Sequence, residues 1–141
     1  MSSLYALSRS HCKTRPLGRK VSDMLKPHHR LIALFTGAGV LHFAKPEPFD
    51  TLIPPRLPGT ARQWTYGSGV AELATAALLA NPRTRRAGGL ATAALMSAVW
   101  PGNIYMTYLW RKKPWYMQAI SYGRLPLQLP LIAAGWKIWK S

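Results

Sequence analysis

Glu72 is the side chain in this sequence with the clearest capacity for chemistry. Only four of the 141 residues are acidic, and Glu72 is the only one of the four inside a long stretch without Lys or Arg. A carboxylate among apolar neighbours must find a partner, face an interior or stay protonated, and such groups are functional by default. Glu72 therefore predicts a ligand-binding or proton-exchanging site. A structural hydrogen bond between helices is the alternative.

Further polar residues are expected to meet Glu72, because helix geometry places them at a similar depth. Ser68 is one turn before Glu72 on the same face. The other candidates lie near the matching ends of their own predicted helices: His42, Asn103, Arg124 and Gln128. Together they predict a polar pocket with Glu72 at its floor and His42 or Arg124 as its charge partner. For His42, a structural hydrogen-bonding role is the alternative.

The elements that position these residues are indicated by the distribution of basic residues. All 19 Lys and Arg fall in the five segments 1–30, 45–62, 83–86, 111–124 and 137–141, and the stretches between them have none. A nucleic-acid-binding domain would carry Lys and Arg side chains on one face of its helices. The net charge of +15 therefore does not predict a nucleic-acid partner. Helices uncharged on every side are typical of surroundings of lipid or protein.

The uncharged stretches predict four transmembrane helices, at about 27–44, 64–81, 87–110 and 124–140. The expected fold class is thus all-α, a four-transmembrane-helix bundle forming one domain over residues 27–141. Four buried helices of a soluble bundle are the alternative. The basic residues favour cytoplasmic termini in an integral protein of a bacterial plasma membrane.

Two segments outside the predicted helices have compositions of their own. Residues 45–62 hold five of the twelve prolines and cannot form regular helix. This Pro-rich segment is expected to be an interfacial loop between helices 1 and 2, either a rigid connector or a lid over the pocket. Residues 1–26 are basic and predict a disordered tail, with a mitochondrial transit peptide as the alternative.

Metal and disulfide chemistry is not expected. Cys12 is the only cysteine, which excludes an internal disulfide and a cysteine-based zinc site. His28 and His29 are adjacent, so they cannot chelate one metal as histidines four residues apart on a helix do.

A series of short motifs runs through residues 29–140. They are His42-Phe43, Pro46, Phe49, Ile53-Pro54, Leu57-Pro58, Trp64, Ser68-Gly69, Glu72-Leu73, Pro82-x-Thr84-Arg85, Pro101-x-Asn103, Met106 and Arg124-Leu-Pro-Leu-Gln128. Their order and spacing resemble the DoxX family of small four-helix membrane proteins. The resemblance implies an integral membrane four-helix bundle. It also implies a looser link to redox chemistry, because some relatives are similar to subunits of a thiosulfate:quinone oxidoreductase.

The function expected from the resemblance is that of an accessory or quinone-proximal subunit of a membrane redox complex. Quinone is the candidate cofactor, and the expected partners are the lipid bilayer and other membrane or membrane-associated redox proteins. The alternative is a non-enzymatic membrane scaffold or assembly factor, in which the same polar residues only lock the helices together. Enzymatic activity of the chain by itself is left open.

Overall fold

The computed structural model describes residues 26–141, and over that range the chain forms five α-helices. They are α1 (Pro27–Ala44), α2 (Glu47–Asp50), α3 (Ala61–Ala80), α4 (Arg85–Trp110) and α5 (Trp115–Lys140). The four long helices run alternately up and down, and α2 and the segment 51–60 connect α1 to α3. The prediction that residues 45–62 form no regular helix is wrong for α2, because Pro48 lies in its first turn, where proline is tolerated. The predictions made for the N-terminal tail and Cys12 fall outside the described residues.

A capping box fixes the start of α3. The Gln63 backbone N–H donates to Thr60 Oγ1 at 3.3 Å, and the Thr60 backbone N–H donates to Gln63 Oε1 at 3.0 Å. Each bond satisfies a backbone donor that the first helical turn leaves unpaired. The helix therefore begins at Ala61, before the predicted start at Trp64.

The last helix begins at Trp115, well before its predicted start at Arg124. Pro114 immediately precedes it, and the Gln118 side chain donates to the Lys113 carbonyl at 2.8 Å, which closes the first turn. The segment 111–124, which has basic residues at both of its ends, suggested a loop, but a single Arg on an exposed helical face is no helix breaker. Positions 115–123 are therefore helix.

Two glycine contacts draw the long helices into pairs. In the first pair, a Cβ on Gly39 of α1 would lie 3.0 Å from the Gly69 carbonyl oxygen of α3. In the second pair, a Cβ on Gly89 of α4 would lie 2.6 Å from the Gly135 carbonyl oxygen of α5. A side chain at these positions would push the backbones apart, so the close approach depends on glycine.

The hydrophobic core joins the two pairs, α1–α3 and α4–α5. Its buried members are Leu31, Phe35, Ala76, Leu79, Met96 and Ile138. The pairs meet mainly through α3 and α4. Because Leu79 and Ile138 belong to the end of the molecule that holds the α3–α4 turn, the core is concentrated toward that end. The opposite half of the space between the pairs is left to the site described below.

The prediction of four membrane-spanning helices is wrong. No helix within residues 26–141 combines the length and the apolar content that crossing a bilayer requires. A stretch without Lys and Arg need not be strongly apolar, because Gly, Ser, Thr and Pro dilute the contribution of residues such as Leu, Ile and Phe. Four predictions depended on membrane-spanning helices and are wrong for the same reason: the transmembrane bundle, the interfacial loop, the plasma-membrane localisation and the assigned orientation. The structure is all-α.

Replacing Gly135 by Ala should destabilise the protein by about 1–3 kcal/mol, because the new methyl group overlaps the backbone of α4. Gly123→Ala is the matched control in the same helix, since a Cβ there meets no atom within 4 Å. The control should be stabilising by up to about 1 kcal/mol through helix propensity alone. Urea unfolding of the two variants measures the difference. Equal stability of both would show that the glycine contact does not hold α4 against α5.

Candidate ligand-binding site

A partly open cavity of about 990 Å³ lies between the two helix pairs. All four long helices contribute to its lining, together with α2 and the segment 51–60. The lining includes every residue that the sequence analysis singled out as a site candidate: His42, Ser68, Glu72, Asn103, Arg124 and Gln128. The structure thus brings the six together around one space. Their role in binding a ligand stays a prediction.

His42 and Glu72 form the polar centre of the cavity, and the first glycine contact brings them together. A Cβ on Gly69, one turn before Glu72, would lie 2.9 Å from the His42 Cβ. His42 Nδ1 is 3.2 Å from Glu72 Oε2 and 2.8 Å from the Ala38 carbonyl oxygen. Nδ1 carries a single hydrogen, which it donates to the Ala38 carbonyl. Glu72 Oε2 therefore attracts the positive charge of the protonated ring but accepts no hydrogen bond from Nδ1.

The surroundings of His42 favour its protonated form. Burial alone lowers the pKa of His42, but the Glu72 carboxylate and the Ala38 carbonyl raise it by more, so that the pKa is above its ordinary value of 6.5. The positive charge of Arg124 acts in the opposite direction. Phe49 of α2 stacks on the imidazole with ring centroids 3.9 Å apart, which fixes the plane of the ring.

Two buried acceptor atoms, on residues that line the cavity, lack a hydrogen-bond donor. Buried hydroxyl groups elsewhere in the helices donate to carbonyls of their own helix, as do those of Thr75, Thr92 and Ser121. In contrast, Glu72 Oε2 and Gln128 Oε1 accept no hydrogen bond from any described residue. The two residues are only 9% and 4% exposed. Buried polar atoms without a partner are rare and costly, so they call for a functional explanation.

The remaining predicted residues lie around this centre. Arg124 is exposed, and within residues 26–141 no ion pair joins it to Glu72, so His42 is the predicted charge partner that contacts the carboxylate. Asn103 and Ser68 are half-buried. The Asn103 backbone carbonyl accepts a hydrogen bond from the Thr107 hydroxyl at 3.0 Å, a local bond in the turn after Pro101.

The Pro-rich segment forms one wall of the cavity. Its apolar side chains face the space between the helix pairs: Phe49, Leu52, Ile53 and Leu57. The indole N–H of Trp64 donates to the Pro58 carbonyl at 2.8 Å and ties the segment to α3. The sequence left open whether this segment is a connector or a lid. In the structure it both connects α1 to α3 and borders the cavity.

Asp50 anchors the same wall, and the sequence analysis missed its role. Thr65 Oγ1 donates to Asp50 Oδ1 at 2.6 Å, and Arg62 Nε donates to Oδ2 at 2.8 Å. The Thr65 hydroxyl, and then Arg62, hold the pKa of Asp50 below its ordinary value of 3.8 despite partial desolvation. The available signal was an acid a short distance before the Thr60 capping box, with a base just inside the helix.

Glu72→Gln should remove a pH-dependent contribution to stability. Because the folded pKa of His42 is raised, the contribution is full below 6.5, the ordinary value, and is lost as pH rises through the folded pKa. In the variant, burial lowers the His42 pKa by more than the Ala38 carbonyl raises it, so the pKa should fall below its ordinary value. The contribution of His42 to stability should then increase with pH instead of decreasing. Urea unfolding between about pH 6 and pH 8.5 and an NMR titration of the His42 ring measure both effects.

Glu47→Gln is the matched control for this experiment. Glu47 is in α2, and its side chain is 74% exposed, with Arg62 no nearer than 4.0 Å. Exposed pairs of this kind contribute little, so the control should titrate like the wild type. An unchanged His42 titration in Glu72→Gln would refute the pairing.

The comparisons with known proteins correct the DoxX resemblance. No support for DoxX was found, and the motifs that suggested it have structural roles here: Gly69 packs against α1, and Trp64 is bonded to the Pro58 carbonyl. Short motifs of Pro, Gly and Trp thus indicate helix contacts and turns, and they do not identify the family to which a chain belongs. Neither the curated proteins nor the solved structures gave a significant match. The model of one family matches residues 31–139, and the chain therefore belongs to the family described as Domain of unknown function (DUF8561).

Proposed function

We propose that this protein binds a small molecule with an apolar body and a polar head in the cavity between its helix pairs. The observation that carries the proposal is a buried carboxylate, paired only with His42, on a residue that lines a large and mostly apolar cavity. Binding sites for small molecules are typically concave and apolar, with a few placed polar groups and volumes of about 300–1,000 Å³. The cavity of about 990 Å³ fits this description.

The cavity has separate regions for the two parts of such a ligand. His42, Glu72 and Gln128 provide polar atoms for the head. Apolar side chains from α4, α5 and the 51–60 segment provide a surface for the body, among them Val99, Leu131 and Ile53. Burying an apolar body there would contribute about 25 cal/mol for each Å² removed from water.

A narrower form of the proposal is a quinone-proximal accessory subunit of a redox complex. It is proposed here from the cavity alone, because the DoxX resemblance that first suggested it is wrong. The stacked rings of His42 and Phe49 offer an aromatic surface for a quinone ring, and the nearby polar atoms suit its oxygen substituents. The partner in that case is a redox protein that oxidises or reduces the bound molecule.

The second candidate function is a non-enzymatic scaffold or assembly factor. It is favoured by exposed large apolar residues around the α4–α5 turn: Ile104, Tyr108, Trp115, Tyr116 and Ile120. Exposed apolar patches commonly mark sites where another protein binds. In this function the polar residues of the cavity serve only to orient the helices.

Ala71→Trp should weaken binding of a neutral apolar dye such as Nile red, because Ala71 lines the cavity and an indole would fill part of it. The expected loss is at least about tenfold in affinity, equivalent to about 1.4 kcal/mol. The readout is the rise in dye fluorescence on titration with protein, after circular dichroism has shown that the variant is folded.

Ala74→Trp is the matched control. It adds the same side chain to an exposed position of α3 that does not line the cavity. The control should bind the dye like the wild type. If the two variants bind equally well, the dye occupies the exposed apolar surface instead, and the scaffold function is favoured.

A further inference from the structure

The end of the molecule that holds the α3–α4 turn carries a large excess of positive charge. Six basic side chains belong to the start of α1, the turn, the start of α4 and the end of α5: Arg30, Arg83, Arg85, Arg86, Lys137 and Lys140. The acids among residues 26–141 are Glu47, Asp50 and Glu72, in α2 and midway along α3. Their ion pairs use His42 and Arg62, so none of the six bases takes part in one. We call this surface the basic end.

Two arginines of the basic end are held in place by backbone carbonyls. Arg86 Nε donates to the Trp139 carbonyl at the end of α5, at 3.0 Å. Arg85 Nε donates to the Leu79 carbonyl near the end of α3, at 3.1 Å. These bonds fix the direction of each guanidinium, while the N–H groups on its terminal nitrogens donate to no residue of the described range. Two oriented sets of donors are therefore available to a ligand.

The positive charges of the basic end are unfavourable to one another. Arg85 and Arg86 begin α4, whose first turn contains no acid. The start of a helix is itself partly positive, so bases there raise the free energy of the fold. Burial lowers the pKa of His28 nearby, and the charges of Arg85, His29 and Lys26 lower it further. An anion bound at this end would relieve the repulsion.

We propose that the basic end binds a ligand that presents two or more phosphoryl groups, with Arg85 and Arg86 as its main contacts. A guanidinium pairs with phosphate oxygens through two parallel hydrogen bonds. A terminal phosphoryl group carries about two negative charges and three acceptor oxygens, so it neutralises more positive charge in a small area than a carboxylate does. This site lies at the opposite end of the helices from the cavity, and it is independent of the proposed function.

Pyrophosphate is the soluble probe for the proposal, and citrate is the control anion of comparable charge. Binding to the full chain is measured by calorimetry at constant ionic strength, because exposed charges are screened by salt. Pyrophosphate should bind more tightly than citrate. It should also raise the pKa of His28 in an NMR titration of the wild-type protein, since a bound anion favours the charged imidazole.

The double variant Arg85→Gln with Arg86→Gln should bind pyrophosphate at least about tenfold more weakly, because it loses both charge-assisted sets of donors. The matched control is Lys112→Gln with Lys113→Gln, which removes the same charge from exposed side chains at the α4–α5 turn. The control should change the affinity by less than about twofold. If the double variant does not fold, Arg86→Lys tests the same contact, since it keeps the charge and loses the planar fork.

A second arm identifies the source of the phosphoryl groups. Vesicles of phosphatidylcholine with phosphatidic acid present many headgroup phosphates on one surface, and they are tested with the same variants. Binding of pyrophosphate that depends on the two arginines supports a soluble ligand. Binding of the vesicles alone, with the same dependence, supports clustered headgroups.

Three results would overturn the proposal. The first is that neither pyrophosphate nor the vesicles bind. The second is that citrate binds as tightly as pyrophosphate, since phosphoryl groups would then have no advantage. The third is equal weakening by the two double variants, which would show that binding follows the net charge of the protein and not the arginines of the basic end. For Arg86→Lys, wild-type affinity and an unchanged His28 titration would have the same meaning.

Discussion

Close contact between helix backbones at glycine is the constraint on which the rest of this structure depends. At Gly39 and Gly69 in one pair, side chains and backbone of the neighbouring helix occupy the space that a side chain would need. At Gly89 and Gly135 in the other pair, the neighbouring backbone occupies it. Each contact joins two helices into a rigid pair. The two pairs meet mainly through α3 and α4. The cavity therefore follows from the pairing, because two tight pairs with a limited mutual contact leave space between them.

The same contact governs the chemistry of the site. Gly69 lies against the Cβ of His42, and Glu72 follows one turn later on α3. The distance of 3.2 Å between Nδ1 and Oε2 is thus set by helix packing as much as by attraction between the groups. Because the Ala38 carbonyl takes the Nδ1 hydrogen, the carboxylate remains short of a donor. A buried ion pair rarely adds much stability by itself, and the proposal of a binding role starts from that point.

The sequence predicted the helical content and the position of α1 well, and it selected six residues that the structure gathers around one cavity. The helix positions were inferred from the stretches without Lys and Arg, and the six residues from their depth along those helices and from the rarity of acids, all of which are local properties. The prediction of a membrane environment was wrong because the segregation of Lys and Arg into five segments does not make the stretches between them apolar enough to cross a bilayer. The DoxX resemblance was wrong because its motifs consist of residues that turns and close contacts require in many helical proteins.

Other features were beyond the reach of sequence reasoning because they depend on contacts between distant segments. The stacking of Phe49 on His42 and the bond from Thr65 to Asp50 exist only once the 51–60 segment has folded back over α3. The early start of α5 depends on Pro114 and on a side-chain bond to the Lys113 carbonyl, whereas the basic residues suggested a longer loop.

The construction of the cavity wall has a consequence for how this family can diversify. Residues 51–60 border the space but are tied to α3 chiefly by the bond at Pro58 and by the bond to Asp50 at the end of α2, outside the glycine contacts and the core. Loops of this kind tolerate insertions and exchanges far better than packed helices. Related chains are thus free to reshape the cavity by altering one short stretch, while the helix pairs preserve the spacing of His42 and Glu72.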